Sequence, residues 1–236
     1  MTARHWAVIP AAGSGIRMGG SIPKQYLSLA GHTVIEHVLD LLEAEPYIEG
    51  ITVAVAADDP HWRRYLLKPR NKPVTIASGG KERAHSVLNA LTSLRDELKD
   101  DDWVLVHDAA RPCLHPSDLS LLVQALSSDP VGGILAVPVS DTLKRVNDEQ
   151  RITATPDRSD LWRALTPQMF RYRLLMDALQ AAIHAGAVPT DEAAAMERQQ
   201  HEVKVVEGRS DNIKITRPDD VALVEAILAQ RARRAI

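Results

Sequence analysis

The chain has one cysteine, Cys113, in 236 residues, so no internal disulfide can form. With no long apolar run and no signal-like start, a reducing, cytoplasmic setting is expected and a membrane-embedded one is not. The formal net charge is -3 despite 28 Lys and Arg residues, so no overall basic field draws the protein onto nucleic acid or anionic lipid. The 9 histidines fall in no HExxH helix and no Cys/His quartet, which removes the sequence basis for a protein-built zinc site. Nothing in the sequence sets an activating base on Cys113, which reads as packing.

Two further absences concern phosphate loops. After Gly13 there is no Gly-Lys-Ser/Thr, and Lys24 is followed by Gln25, so the segment is not a P-loop. A dinucleotide fingerprint starts plausibly at Gly13 and Gly15, but Met18 stands where its third glycine or alanine is needed. That disfavours an NAD-dependent dehydrogenase. What remains is a different glycine-rich loop, PAAGSGIRMGGSIPKQY, from Pro10 to Tyr26, carrying two cations, Arg17 and Lys24. It follows an apolar strand, His5 to Pro10. Gly13 and Gly15 can take positive φ or let the main chain approach a ligand closely, and their amides are suited to phosphate oxygens.

A hydrophobic content of 45% in 236 residues is enough to bury a sizeable core, so one large α/β domain over 1–236 is expected. Strand-like runs at His5 to Pro10, Gly50 to Ala56, Pro73 to Ser78, Trp103 to Asp108 and Gly133 to Val139 alternate with helical patterns. Thr33 and Glu36 have capping-box spacing before Val34, Ile35, Val38, Leu41 and Leu42 on one face. Asp59 before Pro60, and Thr216 before Pro218 and Asp219, are cap candidates for later helices. The alternation predicts a doubly wound, mostly parallel sheet covered on both faces. Between Asp141 and Asp157 it breaks. Thr142 to Asn147 and Arg151 to Thr155 read as a hairpin arm around Asp148-Glu149-Gln150, seeking either a second protomer or its own domain as a partner surface.

Ligands in open α/β sheets bind beyond the carboxyl ends of the strands. The loops there carry Gly13 to Lys24, Ser78-Gly79-Gly80-Lys81-Glu82-Arg83, and His107-Asp108-Ala109-Ala110-Arg111-Pro112. Arg17 and Lys24 suit a polyphosphate. Asp108 suits a ribose hydroxyl or a magnesium ion, or equally the cap of the next turn. Arg83 and Ser86 follow Gly79-Gly80 at a helix start, where ligand contact and capping are both served. Asp211 to Lys214 reads as a short strand whose period places Lys214 on the polar side, where a sheet-edge charge is the ordinary role.

Taken together, PAAGSGIRMG with PKQY, GGKERAHSV, LVHDAARP, PVSDTLKR, DRSDLWRALTPQMF, TDEA and GRSDNIKIT make the chain resemble the 2-C-methyl-D-erythritol 4-phosphate cytidylyltransferase family over nearly its full length. Lys81 and His85 depart slightly from the second block and leave Arg83 and Ser86 in step. The resemblance implies a Rossmann-like nucleotidyltransferase fold and transfer of a cytidylyl group from CTP to methylerythritol phosphate. Pyrophosphate is released with Mg2+ on the triphosphate, in non-mevalonate isoprenoid synthesis. It implies that Ala11, Ala12, Gly13, Gly15, Gly80, Arg83 and Ser86 line the nucleotide site, with Asp108 and Ala109 on the ribose side. Arg17 and Lys24 would clamp the triphosphate. Thr142 and Arg158, from the arm of a homodimer partner, would join Thr190 and Lys214 on the sugar phosphate, making Arg17, Lys24, Arg158 and Lys214 the catalytic set. The alternatives are a ribitol 5-phosphate cytidylyltransferase or, from another class, a nucleotide-binding module without turnover.

Overall fold

The computed structural model describes residues 3–13, 22–62 and 70–234. Seven strands form the main sheet: β1 (His5–Pro10), β4 (Gly50–Val55), β5 (Val74–Ser78), β6 (Trp103–Val106), β7 (Gly132–Pro138), β10 (Trp162–Arg171) and β11 (Lys204–Glu207). Their order is β11-β7-β10-β6-β1-β4-β5. β2 (Ser28–Leu29) and β3 (His32–Thr33) make a separate small ribbon. All pairings in the main sheet are parallel except those of β10, which runs antiparallel to both β6 and β7.

β4 and β6 are buried at every position, and β1 at all but its two ends, as continuous apolar runs require when helices cover both faces. The two-residue period then sorts the side chains. Ala7, Ile9 and Leu105 pack with Leu39 and Leu42 of α1 (Val34–Ala44) and Leu122 of α3 (Pro116–Leu126). Trp6, Val8, Val104 and Val106 face the other way, against Val87 and Leu91 of α2 (Arg83–Ser93) and Leu175 and Leu179 of α4 (Tyr172–His184). Each fully buried side chain of this size contributes about 1.5–3 kcal/mol. Cys113 packs with Leu29, Val34, Ile215 and Val224, and burial pushes its thiol up to about 11. Among the described residues no helix is long and apolar enough to cross a membrane.

α1 begins with the expected box: the Thr33 amide and hydroxyl both donate to Glu36 Oε2, at 2.7 and 2.8 Å. Asp59 accepts from the amides of His61 and Trp62. Thr216 is not the cap of the last helix, α6 (Asp219–Arg234). Asp220, inside the helix, reaches back to accept from the Thr216 and Arg217 amides, both at 2.7 Å.

Several features differ from the sequence reading, among them β11, which it does not assign. β10 lies where the sequence reading assigns no strand, and its antiparallel course interrupts the parallel order. Positive φ among the described glycines falls at Gly31, Gly132 and Gly186, not at Gly13. Asp211 to Lys214 is not a strand. The chain there is fixed instead by Arg111 Nη1 donating to Asn212 O and by the Ile215 amide donating to Ala110 O, both at 2.8 Å.

The arm is present but its strands are shorter than expected: among the described residues β8 (Arg145–Val146) and β9 (Ile152–Ala154) pair only with each other. Asn147 Oδ1 folds the turn by accepting from the Glu149 and Arg151 amides. Every residue from 141 to 155 is exposed, including Leu143, Val146 and Ile152.

Candidate active site

A cavity of about 410 Å³ lies at the carboxyl ends of β1, β5 and β6, lined by Ala11, Ala12, Gly13, Lys24, Gly80, Arg83, Ser86, Asp108, Ala109 and Lys214. Of the expected residues, Gly15 and Arg17 lie outside the described residues. Thr142, Arg158 and Thr190 are exposed and do not line this cavity. Thr190 borders a separate shallow depression with Val188, Glu197 and Arg198, while Arg158 Nη1 donates to Ser140 O within the arm's base.

The loops converge through specific contacts. Gln25, unflagged by sequence, donates from Nε2 to Ala11 O at 2.7 Å and Gly13 O at 3.2 Å, tying the glycine loop to the Lys24 turn. Lys24 Nζ donates to Ile215 O at 3.1 Å, beside Lys214. Gly79 runs so close to the first loop that a Cβ there would lie 2.2 Å from Ala12 Cβ, so only glycine permits the approach. Ser86 Oγ accepts from the Gly80 amide at 2.9 Å and donates to Glu82 O at 3.3 Å. It therefore shapes the loop as well as facing the cavity.

Asp108 is the electrostatic centre. Its Oδ2 meets Lys214 Nζ at 2.8 Å and Arg111 Nε at 3.4 Å, and its Oδ1 accepts from Arg83 Nε at 3.0 Å. Burial pushes this carboxyl up, but Arg83, then Lys214 and Arg111, outweigh it and hold it well below the usual carboxylate range. A pair of unit charges at such a separation is worth about 5 kcal/mol at an effective dielectric near 20, so three cations exceed the desolvation of one carboxylate. Arg83 is in turn gripped from behind by Glu192, which accepts from Nη1 at 2.6 Å and Nη2 at 3.0 Å. Arg111, Glu192 and Arg163 went unassigned in the sequence. The first and third line a neighbouring cavity of about 420 Å³ that shares Lys214 with the main one.

Behind Asp108 sits His107, 1% exposed. Its Nε2 lies 3.0 Å from Arg111 O, so that nitrogen carries the proton, leaving Nδ1 to accept from Thr166 Oγ1 at 3.0 Å. Thr166 Oγ1 accepts in its turn from the Asp108 amide at 3.1 Å. Thr166 falls in the register shift of β10 between Ala164 and Gln168, a bulge that re-aims side chains beside the site. Burial drives the His107 pKa down to about 4. The unfolded chain therefore binds a proton below about pH 6.5 that the native state refuses, and stability falls with pH through the window from 6.5 to 4. The loss attributable to His107 across that window is about 3 kcal/mol. Depressed Asp108 adds acid sensitivity only below its ordinary range, under about pH 4. Urea unfolding at pH 7 and 4.5 should show a shallower pH dependence in His107→Asn than in the wild type. Identical dependences would exclude the buried neutral imidazole as the cause.

A mostly parallel α/β sheet whose strand ends gather a glycine loop, Lys24, Lys214 and Asp108 is the arrangement of a nucleotidyltransferase. The family model for IspD, 2-C-methyl-D-erythritol 4-phosphate cytidylyltransferase, matches residues 5–230. The chain is 54% identical over 219 residues to the 2-C-methyl-D-erythritol 4-phosphate cytidylyltransferase of Pseudomonas putida strain F1, covering 92% of each. It is 52% identical over 229 residues to that of Dechloromonas aromatica strain RCB, covering 97% of this chain and 99% of the relative. Among solved structures, a 4-diphosphocytidyl-2C-methyl-D-erythritol synthase superimposes with a TM-score of 0.83 at 38% identity, covering 97% of this chain and 99% of the other. The Francisella tularensis 2-C-methyl-D-erythritol 4-phosphate cytidylyltransferase gives 0.83 at 36% identity, with 95% and 100% covered. The chain belongs to the 2-C-methyl-D-erythritol 4-phosphate cytidylyltransferase family.

Proposed function

We propose that this chain transfers the cytidylyl group of CTP to 2-C-methyl-D-erythritol 4-phosphate, a step of non-mevalonate isoprenoid synthesis. The observation that carries this is the single cavity in which Gly13, Lys24, Gly80, Arg83, Asp108 and Lys214 meet. A phosphate oxygen of the acceptor attacks the α-phosphorus, a new P–O bond forms, the bond to the β-phosphate breaks, and pyrophosphate leaves. The acceptor phosphate is ionised near neutral pH, so no side chain has to remove a proton. Catalysis is in-line positioning plus stabilisation of crowded negative charge. Lys24 and Lys214 converge from opposite ends of the sequence on that charge, and the family resemblance assigns Arg17, outside the described residues, to the triphosphate. Arg83, Ser86 and the Ala11 to Gly13 and Gly80 backbone hold the nucleoside end, a role the resemblance extends to Gly15, and Asp108 and Ala109 take the ribose side.

Magnesium fits this cavity as a passenger of the triphosphate, since Mg2+ usually takes one or two carboxylates plus substrate phosphates. Asp108 is the carboxylate available at depth, although both its oxygens already meet cations. When bound, the ion would neutralise phosphate charge. A homodimer accounts for the arm: Leu143, Val146 and Ile152 are exposed on it, its two-stranded ribbon has no partner strand among the described residues, and an isolated two-stranded hairpin is marginal in water. Thr142 and Arg158 would then enter the partner's cleft, toward the acceptor that Thr190 and Lys214 also hold. The arm and sheet together make one domain, and buried Cys113 suits a reducing cytoplasm.

The test is pyrophosphate release with CTP and magnesium, methylerythritol phosphate against ribitol 5-phosphate at matched concentrations. Turnover confined to the first is expected. Preference for ribitol phosphate would reassign the acceptor, and CTP binding without turnover on either would make the chain a nucleotide-binding module.

A further inference from the structure

Glu192 has no exposed surface and does not line the cavity, yet it grips a residue that does. Both its oxygens accept from the Arg83 guanidinium. Burial by itself favours a neutral carboxyl, with Arg83 opposing that. The two-pronged geometry is that of an ionised pair, with each partner meeting the other's fork. Glu192 is the first residue of α5 (Glu192–Arg198). That end is held at two points by one side chain, Gln168, whose Oε1 accepts from the Ala193 amide at 2.9 Å and whose Nε2 donates to Asp191 Oδ2 at 2.9 Å. The carboxylate is therefore presented by a fixed platform.

What this platform controls is the division of Asp108. Three cations compete for that one carboxylate, and Arg83 has five donors in a planar fork, more than enough to take both oxygens. With Nη1 and Nη2 committed to Glu192, only Nε reaches Asp108, on Oδ1. Oδ2 is left to Lys214 and Arg111. We infer that Glu192 is a positioning residue for the nucleotide site: it restrains Arg83 so that Arg83 faces CTP and Asp108 remains shared with Lys214. The inference rests on the cytidylyl-transfer reading and deepens it.

Because Glu192 acts only through Arg83, its loss must be silent once Arg83 is gone. CTP binding by calorimetry is the readout, so the test stands whatever the acceptor. Glu192→Gln should weaken CTP binding by about tenfold in the wild-type background and by less than about twofold in an Arg83→Gln background. In turnover, kcat/KM for CTP should fall similarly while the acceptor KM holds, and Glu192→Asp, which keeps the charge, should recover part of the loss. Equal weakening in both backgrounds, or a Gln variant that binds CTP like the wild type, would overturn the inference. Wild-type CTP binding without transfer would overturn only the cytidylyl reading. If Glu192→Gln does not fold, NMR of the Arg83 side chain in the wild-type enzyme decides. Separate, slowly exchanging Nη signals are expected from a clamped guanidinium, and one averaged signal would refute the clamp.

Discussion

Lys24→Ala should lower kcat by about a hundredfold or more while leaving the KM for CTP much less affected. Two phosphate groups must come within bonding distance, and each pair of unit charges about 4 Å apart interacts by roughly 4 kcal/mol at an effective dielectric near 20. That repulsion is greatest when both oxygens crowd the same phosphorus, so a cation at that point is worth more in the transition state than in the bound ground state. A hundredfold loss is about 2.7 kcal/mol, well inside what one such contact can supply. Lys24 is placed to supply it. It stands on a short 3-10 turn, Lys24–Tyr26, whose Gln25 is locked into the glycine loop, and its ammonium is held to Ile215 O next to Lys214. Steady-state kinetics separates the possibilities: an unchanged kcat with a raised KM would make Lys24 a uniform binder and leave the charge-crowding account without its main cation.

The legible parts of the molecule are those in which local sequence and final environment agree. HWAVIP, GITVAV and WVLV are apolar because both faces are covered, so five strands, and the loops at their carboxyl ends, follow from pattern alone. β10 hides for the opposite reason. Its run contains Arg163, Pro167 and Gln168 and has an exposed first turn of residues, and proline within a run argues against a central strand. The register shift between Ala164 and Gln168 is what accommodates it. Lys214 reaches the polar side, but a strand does not take it there. The segment is irregular, and its backbone is pinned by contacts from Arg111 and Ala110, roughly a hundred residues away in the chain. The pairing of Glu192 was equally unreadable, although Glu192 stands in the TDEA block: its partner Arg83 lies 109 positions earlier, and no periodicity links the start of one helix to the start of another on the same face of the sheet.

Arg158→Ala should mainly weaken sugar-phosphate binding. At an acceptor concentration too low for that variant to turn over, mixing it with inactive Lys24→Ala should therefore restore about a quarter of wild-type activity after subunit exchange, if the arm completes its partner's site. The arithmetic follows from geometry. In a mixed dimer, one site combines the Lys24→Ala cleft with the Arg158→Ala arm and is doubly defective, while the other combines an intact cleft with an intact arm. Random exchange makes about half the dimers mixed, and half the sites in those are whole. The expectation is physical because Arg158 stands away from its own chain's candidate site. It is exposed, absent from the lining of its own chain's cavity, and engaged with Ser140 O at the arm's base. Thr142, also exposed, lies on the segment leading into the arm's ribbon. A guanidinium in such a position contributes little to its own chain, since exposed charges are largely screened. Placed against a bound sugar phosphate, it would hold an anion bidentately. Differently tagged protomers let the mixed dimers be isolated and assayed by pyrophosphate release. Mixed dimers as inactive as their parents would confine each catalytic site to one chain and strip the arm of its chemical role.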